Sequence, residues 1–341
     1  MPRVRIFLLT HRRPQLLRRA LASLLAQTFT DWVCELHNDA PGEDAPRAVL
    51  DELAPGDTRF SCHDHENNWG AVATFNHAYA GGPELFASLL EDDNWWEPEF
   101  LATAIRALDA RPDAALAWAN MKIWQEQPSG SWTDTGRTIW ATTHATPPLA
   151  EFRWPEILQA FDALHSQGAM VFRPDKFRVP GVPPATPLAI IEPLRERAAA
   201  GPLLLLTAPL AHFARTRDTA RDTDAALWLQ ARLLTAASFF QTVPADAATL
   251  RKIWPARRTL RPSSADLFFP LALALRNPRI VAPARAGDWL RFFLGAVRHP
   301  RRLARGLRFR RDHAAVWAWL VAQSAAAGAQ PARATMIAKQ L

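Results

Sequence analysis

Glu91, Asp92 and Asp93 stand side by side where an apolar run over 85–90 stops, and Trp95, Trp96 and Pro98 follow. Three adjacent carboxylates repel one another, so a folded chain keeps them together only where a cation or hydrogen-bond donors offset the charge. Glu91 and Asp93 are two apart and can project the same way from a strand end while Asp92 points elsewhere. A hard divalent ion, Mg2+ or Mn2+, held by one or two such carboxylates keeps coordination positions open, and substrate phosphates commonly fill them. The same residues also suit a solvated acidic turn that caps a helix starting near Pro98, with Asp93 or Asn94 as the cap. Both readings stand at this point.

The elements that must position these acids follow from hydropathy. Val4 to Leu9 is a strand-like run, broken by Thr10-His11-Arg12-Arg13-Pro14 before an amphipathic stretch from Gln15 to Gln27. Trp32 to His37 reads as a second strand, Ala45 to Leu53 as a helix, Phe60 to His63 as a third strand and Val72 to Ala80 as a third helix, ahead of the acidic strand. This alternation predicts an α/β fold with a mostly parallel sheet, helices on both faces and right-handed crossovers. Parallel strands bring their C-terminal ends to one edge, where ligands of open α/β sheets bind. Thr10 and Arg13, Asn38 and Asp39, Asn68, and Glu91 and Asp93 would then converge on a ligand that carries a base, a sugar and phosphates. Turns are polar in any α/β protein, so placement alone does not decide the matter. Neither a G-x-G-x-x-G after the first strand nor a G-x-x-x-x-G-K-[ST] occurs, which argues against a dinucleotide dehydrogenase and a P-loop NTPase.

The order of motifs resembles an inverting family 2 glycosyltransferase with a GT-A fold, over residues 4 to about 215. The residues that carry the resemblance are Leu9-Thr10-His11-Arg12-Arg13 with Ser23-Leu24-Leu25-Ala26-Gln27-Thr28, then Asn38-Asp39-Ala40-Pro41, then Asn68-Trp69-Gly70 with Asn76, then Glu91-Asp92-Asp93 with Trp96, Pro98 and Phe100-Leu101. The resemblance implies that Thr10 and Asp39 contact the nucleotide base, Asp39 accepting the imino N–H of uracil or thymine. It implies that Arg13, Asn38, Asn68, Asn76 and Asp92 surround the nucleotide sugar. Asn76 is equally suited to holding a loop by hydrogen bonds to its backbone. Asp93 would hold the Mn2+ or Mg2+ that bridges the diphosphate, with Glu91 assisting through a ribose hydroxyl or a water. The family's base comes from a Glu-Asp pair at a helix start. Here Glu192 is followed by Pro193, so Glu192 alone is the candidate base, or else an ordinary acid in a first helical turn.

Between the acids and Glu192 lies the acceptor half. Trp124, Trp132 and Trp140 offer rings for stacking on sugars, although fourteen tryptophans include many that belong in the core. Trp96 and His165 are further acceptor candidates, a lone histidine being more often structural. His165-Ser166-Gln167-Gly168 precedes a strand and matches where the family carries small residues beneath the donor sugar.

The division expected is a GT-A domain over 1–218 and a helical, arginine-rich domain over 219–341. The 341 residues are 49% apolar with a formal charge of +7, which excludes bulk disorder. The charge surplus lies towards the C-terminus. The stretch 288–311 mixes arginines with aromatic and aliphatic residues, a composition that suits a helix lying over anionic lipid, beside a lipid-linked glycan acceptor. A nucleic acid would satisfy the same charges and is not favoured. A solvated helical cap is the third reading. Cys34 and Cys62 lie in strand-like segments and are expected as buried thiols in a reducing, cytoplasmic setting, with the protein soluble or peripheral to the inner membrane face. Two further functions remain open, a degenerate relative that binds nucleotide sugar or glycan without turnover, and a basic membrane or nucleic-acid module on an α/β scaffold.

Overall fold

The computed structural model describes residues 1–177, 181–217, 224–260 and 267–326. The expected boundary between 218 and 219 lies outside the described residues. The first half alternates as the hydropathy predicts: β1 (Val4–Thr10), α1 (Pro14–Leu25), β2 (Trp32–Asn38), α2 (Ala45–Leu53), β3 (Phe60–Asp64), α3 (Gly70–Ala80) and β4 (Phe86–Glu91). A two-residue β5 (Trp95–Trp96) and α4 (Phe100–Ala110) come next, then β6 (Leu116–Glu126), β7 (Trp132–Thr138), β8 (Leu149–Phe152), β9 (Met170–Phe172), α5 (Ile191–Glu196) and β10 (Leu203–Arg215). The main path across the sheet is β3-β2-β1-β4-β9-β6-β10-β5, with β7 on β6 and β8 on β10.

The sheet is parallel through β3, β2, β1 and β4 and again between β6 and β10. It is antiparallel wherever β5, β7, β8 or β9 pairs. The expectation of a mostly parallel sheet therefore holds for the first half and needs correction for the second. β9 is three residues long and wholly buried, and such a run carries no periodicity from which a direction can be read.

Alternation along the strands feeds two cores. Phe7 and Leu9 of β1, Leu116 and Trp118 of β6, and Leu203 and Leu205 of β10 enter one cluster. Their neighbours Ile6 and Leu8, Ala117 and Ala119, and Leu204 and Leu206 enter the other, against α1, α2 and α4. The first cluster continues without a break into α6 (Ala225–Thr242), α7 (Ala247–Leu260) and α8 (Phe268–Leu275), whose Leu233, Leu234, Phe239, Trp254 and Phe268 are buried there. The helices α9 (Ala286–Arg298), α10 (Pro300–Leu307), α11 (Phe309–Asp312) and α12 (Ala314–Ala326) complete the described chain. Cys34 is buried as expected, whereas Cys62, on the strand at the end of the sheet path, is only partly so.

Candidate functional site

Register brings the polar strand ends together. Thr10 lies opposite Asn38 and Leu9 opposite Glu91, so the C-terminal ends of β1, β2 and β4 share one edge. Asp92 turns inward there. Its Oδ2 accepts the Thr10 hydroxyl at 2.9 Å and the His11 amide at 3.3 Å, and Arg13 faces its Oδ1 at 3.4 Å. Burial pushes the Asp92 carboxyl up to about 6, against the pull of Arg13. Asp93 is more open. Arg13 donates to its Oδ2 at 2.9 Å, and Arg19 donates to its backbone carbonyl at 2.9 Å. The Arg19 guanidinium lies 3.7 Å from the Trp95 ring and 4.5 Å from that of Trp132. Desolvation there lowers Arg19 to about 10.

Glu91 is perturbed in the same direction as Asp92. Burial first, then repulsion from Asp93, Glu192 and Asp92, raises its carboxyl well above the usual range. The antiparallel β9 explains what sits over it. Ala87 pairs with Phe172 and Ser88 with Val171, and the same register continued leads Gly168 to the level of Glu91. A Cβ on Gly168 would lie 2.5 Å from the Asn94 amide nitrogen and 3.1 Å from Glu91 Oε2. Asn94 donates to Glu91 Oε2 at 2.9 Å, and the neighbouring Gln167 amide donates to Glu192 Oε1 at 2.8 Å. One short stretch, Gln167-Gly168, thus lies against both Glu91 and Glu192, the latter in the first turn of α5.

Asp39 accepts the Trp69 amide at 2.6 Å and the Gly70 amide at 2.9 Å, closing the N-terminus of α3, and faces His65 Nδ1 at 3.1 Å. Asn38 is inside its own turn, donating to the Glu43 carbonyl and Asp64 and accepting from the Ala40 amide. Asn68 is exposed at the start of α3. Asn76 makes the loop-holding contacts that sequence left open: its amide donates to the Val182 carbonyl, and its carbonyl accepts the Val182 amide, both at 2.9 Å, and Arg195 at 2.6 Å.

Two of the acceptor candidates, His165 and Trp96, lie elsewhere than an open face. His165 is buried, its Nδ1 2.6 Å from Glu196 and its Nε2 3.2 Å from the Tyr79 hydroxyl. Trp96 is also buried, donating from its indole to the Gly168 carbonyl at 2.7 Å and packing on Phe100. Neither ring presents a face for a sugar: the His165 ring is held between two side chains, and the Trp96 indole holds backbone. Trp140 is core as well. Arg19, Asn94, Trp95 and His212 escape a strand-end reading. His212 stacks on Trp95 with ring centres 4.5 Å apart, accepts the Trp124 indole N–H at 2.9 Å and faces Glu97 at 3.1 Å. The apolar run over 203–206 and the pairing of Trp95 with His212 across β5 and β10 are the signals that bear on them.

The model of glycosyl transferase family 2 matches residues 6–144. That segment is a family 2 glycosyl transferase domain. The glycosyl transferase match ends before β8, so Gly168, Glu192 and His212 lie beyond it. Among curated proteins, an uncharacterised protein of Sinorhizobium fredii, y4gI, is 26% identical over 107 residues, 31% of this chain. The chain matches only 12% of that relative's length. Among solved structures, S. aureus TarS 1–349 in complex with UDP aligns over 92% of this chain and 91% of its own, with a TM-score of 0.60 and 11% identity. The same protein in complex with UDP-GlcNAc aligns over 95% and 92%, with a TM-score of 0.56 and 11% identity. At that identity the likeness shows the GT-A fold and extends it well past the glycosyl transferase match, to β10 and the helices that follow.

Proposed function

We propose that this glycosyltransferase moves a sugar, with inversion, from a nucleotide-sugar donor to a hydroxyl of a glycan or lipid-linked acceptor. UDP- and dTDP-sugars are the favoured donors. The observation that carries the reading is the excess of carboxylates at the end of β4: Glu91, Asp92 and Asp93 with Glu192, set against Arg13 and Arg19. Such an excess fits a divalent cation, Mn2+ or Mg2+, with Asp93 as its direct ligand and Glu91 beside it. When bound, the cation supplies Lewis-acid stabilisation of the leaving nucleoside diphosphate.

The chain's own residues do the rest. Arg13, which faces both Asp92 and Asp93, binds diphosphate oxygens. Asp39 keeps acceptor capacity beside its helix amides, since a carboxylate offers about four lone-pair sites, and an imino N–H of uracil or thymine suits it. Glu192 takes the proton of the acceptor hydroxyl as that oxygen attacks the anomeric carbon from the side opposite the diphosphate. The Gln167 amide fixes the orientation of Glu192 for this transfer.

The regions 1–218 and 219–341 are read as the transfer and helical parts. On α9, Leu290, Phe293, Leu294 and Val297 are exposed at spacings that share one side, and Arg298, Arg301 and Arg302 are exposed next to them. This supports docking on an anionic membrane at its cytoplasmic face, where a lipid-linked acceptor is met. No described helix is long and apolar enough to cross a membrane.

Thermal unfolding with UDP, dTDP or GDP, each with and without Mn2+, tests the reading. UDP or dTDP stabilises more than GDP, and more with Mn2+, and Asp93→Ala removes the metal-dependent increment. Equal shifts with all three nucleotides, indifferent to metal, would count against it.

A further inference from the structure

Away from the acids at the end of β4, β2 and α3 build a second polar cluster. Glu35 and His37 are two apart on β2 and present their side chains towards His77 of α3. His37 Nε2 lies 3.2 Å and His77 Nε2 3.5 Å from the same oxygen, Glu35 Oε2. The ligand atoms of the three residues all fall within 4.8 Å of one another. His37 Nδ1 is 3.0 Å from His65 Nε2, and His65 Nδ1 is 3.1 Å from Asp39 Oδ1.

Protons do not suffice for this chain of contacts. Asp39 to His65, His65 to His37 and His37 to Glu35 are three links, each needing one hydrogen between two lone pairs. Two ionised carboxylates bring none, and two neutral imidazoles bring one each. If His65 donates to Asp39 and His37 donates to His65, the His37 Nε2 lone pair is left facing a carboxylate oxygen. Something positive belongs between them, either one more proton or a metal ion.

We propose that Glu35, His37 and His77 form a binding site for a divalent transition metal of the zinc class, separate from the cation of the sugar-transfer site. Zinc bound tetrahedrally at 2.0–2.1 Å from nitrogen and oxygen separates its ligand atoms by about 3.3–3.4 Å. The two edges to Glu35 Oε2, at 3.2 and 3.5 Å, bracket that value. Two imidazoles and one carboxylate suit zinc better than the oxygen-seeking Mg2+. The His77 side chain is 44% exposed, which gives an ion its way in and a water the fourth position.

The surroundings hold the ligands in place. Arg5 binds the other oxygen of Glu35, and donates to Glu84 at 2.7 and 2.8 Å, so Glu35 Oε2 is turned to the imidazoles. His63 stacks on His37 with ring centres 5.0 Å apart, and Phe7 meets His77 edge-on at 5.6 Å. The His37–His65–Asp39 series sets the His37 tautomer, as carboxylate partners do behind metal-bound histidines.

Calorimetric titration of Zn2+ into the tag-free, chelator-treated full chain near neutral pH tests the site, with Co2+ absorption as the spectroscopic probe. One equivalent binds, and bound Co2+ shows visible bands without a thiolate charge-transfer band from Cys62. His77→Ala, or His77→Gln should the smaller side chain disturb folding, abolishes the binding. His65→Ala weakens it roughly 10–100-fold. Asp93→Ala leaves it unchanged. Absence of saturable Zn2+ binding, unchanged binding in both His77 variants, a thiolate band, or loss on Asp93→Ala would each overturn the proposal.

Discussion

Asp92 is turned inward by the neighbouring strand end, where Thr10 lies across from it in space and 82 positions away in sequence. With its carboxyl raised from 3.8 to about 6, the folded protein holds a proton there that the unfolded chain has released. Stability of the metal-free protein therefore falls as pH rises through that window, by roughly 2–3 kcal/mol from this group. His37 and His212, both lowered to about 4 by burial, act in the opposite direction over an overlapping range, losing stability as pH falls. The difference between Asp92→Asn and the parent isolates the acid: denaturant midpoints at pH values on either side of the window should show the variant gaining relative to the parent as pH rises. Glu192 yields a separate expectation. Glu192→Gln keeps an oxygen for the Gln167 amide but no base, so donor KM stays near the parent value while kcat drops roughly 10²–10⁴-fold. A matching fall in donor affinity would instead make Glu192 a binding residue.

At the level of elements, strand direction decides what the acids meet. A parallel strand in place of β9 would carry residues 166–168 to the opposite edge. Running antiparallel, β9 delivers Gly168 to Glu91 and Gln167 to Glu192. The strands and helices from β1 to β4 were legible because β1 and β4 are apolar runs and α1 and α2 are amphipathic helices. Of the later strands, β5, β8 and β9 are 2, 4 and 3 residues long, and a side-chain pattern cannot then tell parallel from antiparallel. The glycine is the testable residue. Gly168→Ala places a methyl against the Asn94 amide, which must turn and give up Glu91 Oε2. The expected cost is about 0.5–1.5 kcal/mol in chemical unfolding. The Mn2+-dependent stabilisation by UDP should weaken at the same time, and a variant with both properties intact would mean that Asn94 does not shape the site.

For the molecule as a whole, the helical half is fastened to the sheet rather than tethered beside it. Phe161 meets Phe268, and Trp154 meets Phe239, within one apolar cluster. That continuity places α9 at a fixed attitude to the sheet edge, so a membrane bound through α9 would present its surface to the site in a defined orientation. Replacing Leu290, Phe293 and Leu294 by serine should reduce co-sedimentation with vesicles rich in anionic lipid while leaving thermal unfolding near the parent value, because these side chains are exposed. Retained sedimentation would remove the helix from the membrane reading. Within the catalytic half, α3 has a comparable reach. Asp39 grips its leading end, and Asn76 in its body clasps Val182, on the strap that runs towards α5, and Arg195 of α5 itself. It works as a connecting rod: tension applied at the Asp39 end is passed along a rigid shaft to the mounting of Glu192, so the two ends cannot loosen independently.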